Sequence, residues 1–149
     1  MKTYKAPQPV SDPEGMKIFL AGTIDMGNSI NWQEKATKFF EGKTCTILNP
    51  RRDDWHSSWQ QSAANEQFNT QVTWELEALE QADLIIMNFL EGSQSPVTML
   101  ELGLHAGSNK VRVCCPDAFW RSGNIHMVCR RYGIPLYNDL NELLNDIQL

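Results

Sequence analysis

Two neighbouring stretches decide the fold: Asp83-Leu-Ile-Ile-Met-Asn-Phe89, and Ser95-Pro-Val-Thr-Met-Leu-Glu101-Leu-Gly-Leu-His-Ala-Gly107 soon after it. The first is a short, very apolar run, the mark of a strand buried on both faces. The second reads as a helix. Ser95 is a good N-cap, Pro96 suits the first helical position, and Gly107 is a natural stop. A buried strand joined to a helix by a short loop is half of a parallel β-α-β unit.

The same alternation extends in both directions. Lys17-Ile-Phe-Leu-Ala-Gly22 and Cys45-Thr-Ile-Leu48 read as earlier strands. Lys110-Val-Arg-Val-Cys-Cys115 and Ile134-Pro-Leu-Tyr137 read as later ones. Apolar spacing predicts helices over residues 30–41, 69–81, 124–132 and 139–147, with Val72, Leu76 and Leu79 facing inward on the second. Strands alternating with helices give an α/β protein with a parallel sheet covered on both faces. Five strands favour a flavodoxin-like or Rossmann-like, doubly wound order. Residues 1–15 hold three prolines and few large apolar side chains, which reads as a flexible lead-in. Residues 16–149 then form one domain.

Bulk composition narrows the function. The chain has 149 residues, 42% apolar and 21% charged, enough for one domain with a proper core. A net charge of -5 argues against binding nucleic acid polymers, which takes a basic surface, but leaves a single nucleotide open as a ligand. No apolar run approaches the roughly 18 residues of a membrane span. The N-terminus has no apolar signal core, so a cytoplasmic location is expected. Cys45, Cys114, Cys115 and Cys129 form no Cys-x-x-Cys pair and read as buried free thiols of a reducing compartment. His56, His105 and His126 show no metal-ligand spacing. Neither a metal nor an organic cofactor is expected.

In doubly wound sheets, ligands bind beyond the carboxyl ends of the strands at the switch point. That rule selects the loops 22–29, 49–59, 88–96 and 116–124, and so brings forward Gly22, Asp25, Asn88 and Asn124. The first loop is not Gly-x-Gly-x-x-Gly and carries no dinucleotide fingerprint. Asp25 suits a sugar hydroxyl or simply the start of the next helix. In the second loop, Arg51 and Arg52 can clamp a phosphate or order a carboxylate. Asp53 lies beside them, and Trp55 and Trp59 can stack on a base. The alternative there is a solvated loop of Arg–Asp pairs with little energetic weight.

Glu101 is the single charged residue between Ser95 and Gly107. A carboxylate in apolar company is costly unless paired, neutralised or used. Near a helix N-terminus its ionised form is expected to be favoured. Glu75 falls on the same side of its helix as Ala78, Leu79 and Ala82. If Glu75 and Glu101 meet in one pocket, they make the pair of carboxylates that glycoside cleavage requires.

Together Lys17-Ile-Phe-Leu-Ala-Gly-Thr23, Asn49-Pro-Arg-Arg-Asp-Asp-Trp55, Ala82-Asp-Leu-Ile-Ile-Met87 and Ser95-Pro-Val-Thr-Met-Leu-Glu-Leu-Gly103 resemble the nucleoside 2-deoxyribosyltransferase-like proteins, over roughly residues 16 to 145. The closest likeness is to a subgroup with Asn-Pro-Arg-Arg-Asp-Asp-Trp and Phe-Trp-Arg segments. The resemblance implies the same flavodoxin-like fold. It also implies cleavage of the N-glycosidic bond of 2-deoxynucleosides, the sugar passing to another base or to water. The family nucleophile falls on Glu101. A family Asp, eight residues before the Asp that opens the third strand, is replaced by the longer Glu75. Transferases acting on nucleosides carry an Asp six residues before the nucleophile; here that position is Ser95. The related deoxynucleoside 5-monophosphate N-hydrolases carry a Ser there, which helps hold the phosphate. On that resemblance, weight moves toward a nucleotide substrate. The family also completes its site with an Asn or similar group from a neighbouring subunit. Asn124 lies near that place, so a homodimer or larger homo-oligomer is implied. Two other readings remain: a nucleotide-binding module without turnover, and an NAD-cleaving enzyme of the same broad architecture.

Overall fold

The computed structural model describes residues 1–56 and 58–149, and of Met26 only the backbone. Its strands are β1 (Lys2–Lys5), β2 (Met16–Gly22), β3 (Cys45–Asn49), β4 (Leu84–Asn88), β5 (Val111–Cys114) and β6 (Leu136–Tyr137). Its helices are α1 (Trp32–Phe39), α2 (Glu66–Gln81), α3 (Pro96–His105), α4 (Ser122–Tyr132) and α5 (Leu140–Asn145). The strands form one sheet in the order β1-β3-β2-β4-β5-β6, and every pairing is parallel. Leaving out β1, this is the flavodoxin-like order read from the sequence.

The sheet has six strands, not five. Lys2–Lys5 lies within the stretch read as a flexible lead-in, yet it pairs with β3 along one edge. Its short Lys-Thr-Tyr-Lys sequence hid it, because two lysines on four residues suit a solvated edge strand and not a core strand. Tyr4 and Ala6 are buried there, and the Trp74 indole donates to the Gln8 carbonyl at 2.8 Å.

One face of the sheet packs against α2, α3 and α4. That core joins Phe19, Ile85 and Met87 to Trp74, Leu79, Leu102, Ile125 and Cys129. The other face packs Ile18, Leu20, Ile47 and Ile86 against Trp32, Ala36 and Phe40 near α1, and against Leu143 and Leu144 of α5. All four cysteines are buried thiols.

Helix boundaries follow their caps. The side chains of Asn31, Asn65 and Asp139 accept backbone N–H bonds at the starts of α1, α2 and α5. The asparagine cap lets α2 begin before residue 69. Leu76, expected inward, is 45% exposed, and Trp74 and Ala78 take the core positions instead. At the end of α3 the chain passes through a 3-10 turn at Ala106–Ser108. It stops at Asn109, which has a left-handed φ of 60°, not at Gly107.

Candidate active site

β2 and β4 lie side by side, and the chain turns to opposite sides of the sheet after them. Their carboxyl ends are therefore the switch point. Gly22 pairs with Asn88 in that register. Gly22 has a φ of +146°, and a Cβ there would lie 2.4 Å from the Asn88 carbonyl oxygen and 2.8 Å from the Trp32 ring. Only glycine lets the two backbones and the indole meet.

Beside this crossing a cavity encloses about 330 Å³, within the range of small-molecule sites. Its walls come from the end of β2 (Gly22, Thr23, Asp25), the loop after β3 (Arg52, Trp55), α2 (Gln71, Glu75) and the start of α3 (Ser95, Thr98, Glu101). Glu75 and Glu101 thus line one cavity. Glu101 is only 8% exposed and turns inward with Thr98 and Leu102, away from Val97, Leu100 and Leu104, which face outward. Burial, and then the charge of Glu75, push the Glu101 carboxyl up to about 8. The expected ionisation under the helix dipole is thus outweighed by desolvation. Burial raises Glu75 as well, opposed by a 2.8 Å hydrogen bond from the Gln71 amide to its carboxylate. That amide also donates to the Pro50 carbonyl at 2.9 Å. Burial of both carboxyls favours a pair that shares a proton near neutral pH, with the Gln71 amide donating to Glu75.

Ser95 holds the N-cap position of α3, and its carbonyl accepts from the Met99 N–H at 3.1 Å, but its side chain does no capping. It adopts a left-handed conformation, φ 45°, and its side chain makes no bond to the helix N–H groups. Its hydroxyl instead lies 2.6 Å from the Thr23 hydroxyl and 2.9 Å from that of Ser93. The Ser93 hydroxyl donates to the Asp25 carboxylate at 2.9 Å, and the Leu90 backbone N–H donates to the Thr23 hydroxyl at 3.0 Å. Asp25 also has a left-handed φ, 48°. It opens a 3-10 turn at Asp25–Gly27 and does not cap the helix that follows, a role Asn31 fills.

The charged loop divides its work. Arg51 is buried, and its guanidinium donates to the Gly27 and Ser29 carbonyls and the Ser29 hydroxyl, so it clasps the neighbouring loop. Arg52 reaches the cavity instead. It makes a two-pronged pair with Asp54 at 2.8 and 2.7 Å and stacks on Trp59 at 5.0 Å. Trp55 meets Trp59 edge-on, and its buried indole N–H has no partner among the described residues. Asp53 points away from the cavity, toward an exposed pair with Lys5.

Asn88 is buried and faces a second, smaller opening with Trp32, Leu90 and Cys114. Asn124 is exposed in the first turn of α4 and does not line the main cavity of its own chain. The structure therefore brings together Gly22, Asp25, Trp55, Glu75, Ser95 and Glu101, and leaves Arg51, Asp53, Asn88 and Asn124 outside. Thr23, Ser93 and Gln71 were not foreseen. The spacing of Gln71 and Glu75, one helical turn apart, was the available signal for Gln71. Two serines separated by one residue before Pro96 were the signal for Ser93.

The fold and the crevice define a Rossmann-like α/β protein with a paired-carboxylate site at its switch point. The profile of a family described as nucleoside 2-deoxyribosyltransferase like matches residues 15–119. The chain belongs to that family. No curated protein gives a significant match to it. Among solved structures it is similar to a conserved protein from Enterococcus faecalis V583, at 10% identity and a TM-score of 0.59. That match covers 88% of this chain and 96% of the other, and it concerns the fold alone. Among the described residues no helix is long and apolar enough to cross a membrane.

Proposed function

We propose that the protein cleaves the N-glycosidic bond of 2-deoxynucleosides or their 5-monophosphates through a covalent glycosyl-Glu101 intermediate and transfers the deoxyribose to another nucleobase. The observation that carries this reading is the meeting of Glu75 and a buried Glu101 in one cavity, within a chain of this family.

The protonation of the pair suits two-step displacement. A Glu101 oxygen attacks C1 of the sugar as the bond to the base breaks, through an oxocarbenium-like transition state. Attack needs Glu101 ionised, so the single proton of the pair passes to Glu75 and from there to the departing base nitrogen. Glu75, now charged, takes the N–H proton of the incoming base as that nitrogen attacks C1 and the ester to Glu101 opens. Water in place of the second base gives hydrolysis by the same steps. Trp55 offers the base its ring and an indole N–H that has no partner among the described residues. The reaction uses only side-chain carboxylates.

Assembly belongs to the same reading. Val97, Leu100 and Leu104 of α3 are 58, 64 and 61% exposed, an apolar stripe on the helix that carries Glu101. A second copy covering this stripe would bring its own residues to the cavity mouth, and Asn124 is the group the resemblance nominates. Incubating the protein with a purine 2-deoxynucleoside and a free pyrimidine base tests the activity. The exchanged nucleoside is expected; neither exchange nor base release with any pair of substrates rejects the reading.

A further inference from the structure

We infer that the second opening, on the other side of the sheet from Glu101, holds a small neutral ligand with an amide edge, an N–H donor beside a C=O acceptor, and that the Asn88 side chain pairs with that edge. The inference stands apart from the glycosyl-transfer reading and needs no turnover to test it.

Asn88 closes β4. Successive strand residues face opposite sides of a sheet. Along β4, Leu84 and Ile86 pack into the core under α1 and α5, and Ile85 and Met87 into the core under α2, α3 and α4. The alternation therefore turns the Asn88 side chain to the α1 and α5 side, one step beyond Ile86. Glu75 and Glu101 lie on the opposite side, on α2 and α3. An apolar residue at position 88 would extend the core. The chain instead places a carboxamide there, only 2% exposed, at an opening of about 270 Å³. Its backbone carbonyl is taken by the Thr23 N–H at 3.0 Å. Its side chain has no hydrogen-bond partner among the described residues. Buried polar groups in proteins are paired, and leaving one unpaired costs free energy. The opening is where a partner for this amide can sit.

The surroundings narrow its class. A carboxamide presents an acceptor oxygen and a donor nitrogen in one plane. A ligand that engages both must carry a donor and an acceptor on neighbouring groups, as a ring lactam or another carboxamide does. Leu90, Cys114, Pro116 and the Trp32 ring give the opening apolar walls. The Trp32 indole N–H already goes to the Thr23 carbonyl at 2.9 Å, so the ring face is what remains to a ligand. Such walls suit a flat ring. An anion finds little to hold it. α1 and α5 both start at the opening, but the side chains of Asn31 and Asp139 already accept from their first N–H groups. One cation, Lys35, stands there against two acids, Glu91 and Asp139.

NMR titration of the full chain with uracil, a ring lactam, and with nicotinamide, a carboxamide, tests this. Asn88 and Trp32 both bond to Thr23, which also lines the Glu101 cavity, so the readout is the intermolecular NOE and not the chemical shift. Ring protons of a bound probe should show NOEs to the methyl groups of Leu90 and Leu140, which line the second opening and not the Glu101 cavity. 1,3-Dimethyluracil and N,N-dimethylnicotinamide keep the rings but lack the N–H, and should bind at least about 10-fold more weakly. Asn88→Leu should abolish the NOEs. If that variant does not fold, Asn88→Asp, of the same shape but without the N–H donor, should weaken binding at least about 10-fold. Binding of uracil alone assigns the site to ring lactams, and binding of nicotinamide alone assigns it to carboxamides; either supports the inference. It is overturned if neither probe shows NOEs to Leu90 or Leu140, if the N-methylated compounds bind equally well, or if the NOEs persist undiminished in the Asn88 variant.

Discussion

Glu101 combines a buried position, a carboxyl raised to about 8 and a second carboxyl group, Glu75, in the same cavity. Two outcomes follow at this one residue. The singly protonated pair is the working form, so kcat/KM should fall as pH rises through about 8, where the proton needed by the leaving base is lost. A profile still flat or rising there contradicts the shared-proton mechanism. Stability follows the same titration. The folded state holds a proton that the unfolded chain releases above its ordinary value of 4.5, so stability is lost as pH climbs from there to about 8. Glu101→Gln removes that dependence. Its Tm should match the wild type near pH 4 and exceed it by several degrees near pH 9. Thermal melts across the range decide it. The importance of Glu101 was legible in the sequence, as a lone charge in an apolar helix. Its protonation was not, because the dipole argument is local and the desolvation comes from elements distant in the chain.

At the scale of elements, the β2–β4 crossing and the start of α3 place Gly22, Thr23, Ser95 and Glu101 of the cavity wall relative to the sheet. Gly22→Ala pushes a Cβ to 2.4 Å from the Asn88 carbonyl oxygen and imposes strain at φ +146°. It should cost on the order of 2–4 kcal/mol in chemical denaturation. Gly103, inside α3, has open space around its missing Cβ. Gly103→Ala should instead add about 0.5–1 kcal/mol through helix propensity. Equal effects at both sites would contradict the close-approach account. The alternation of strands and helices, and with it the switch point, was readable from hydrophobic periodicity. Ser95 shows where that reading stops. Its place at the helix start was right, yet its hydroxyl serves Thr23 and Ser93, because a residue in the left-handed region aims its side chain away from the helix N–H groups. Arg51 and Arg52 are likewise equivalent in sequence and opposite in role, and only the folded loop sorts them.

For the whole molecule, the edge strand β1 and the outer face of α3 govern completeness. β1 was invisible to pattern reading because its stability comes from its ladder with β3 and from burial of Tyr4, not from an apolar run. Deleting residues 1–8 bares the β3 edge and strips the Trp74 indole of its acceptor. The Tm should drop by about 5 °C or more, and an unchanged melt would show that the strand is dispensable. Leu100→Glu places a charge in the middle of the exposed α3 stripe. Sedimentation should show the proposed oligomer dissociating, with loss of turnover if the partner completes the cavity. A wild type that sediments as a monomer contradicts the shared site.

The central claim is that Glu101 becomes covalently bonded to the sugar. Intact-protein mass spectrometry of the enzyme quenched during turnover of a 2-deoxynucleoside reads this directly. The account predicts an added mass of one deoxyribosyl group, mapped to the peptide bearing Glu101 and absent from Glu101→Ala. An adduct that persists in Glu101→Ala, or that maps to another residue, would contradict it.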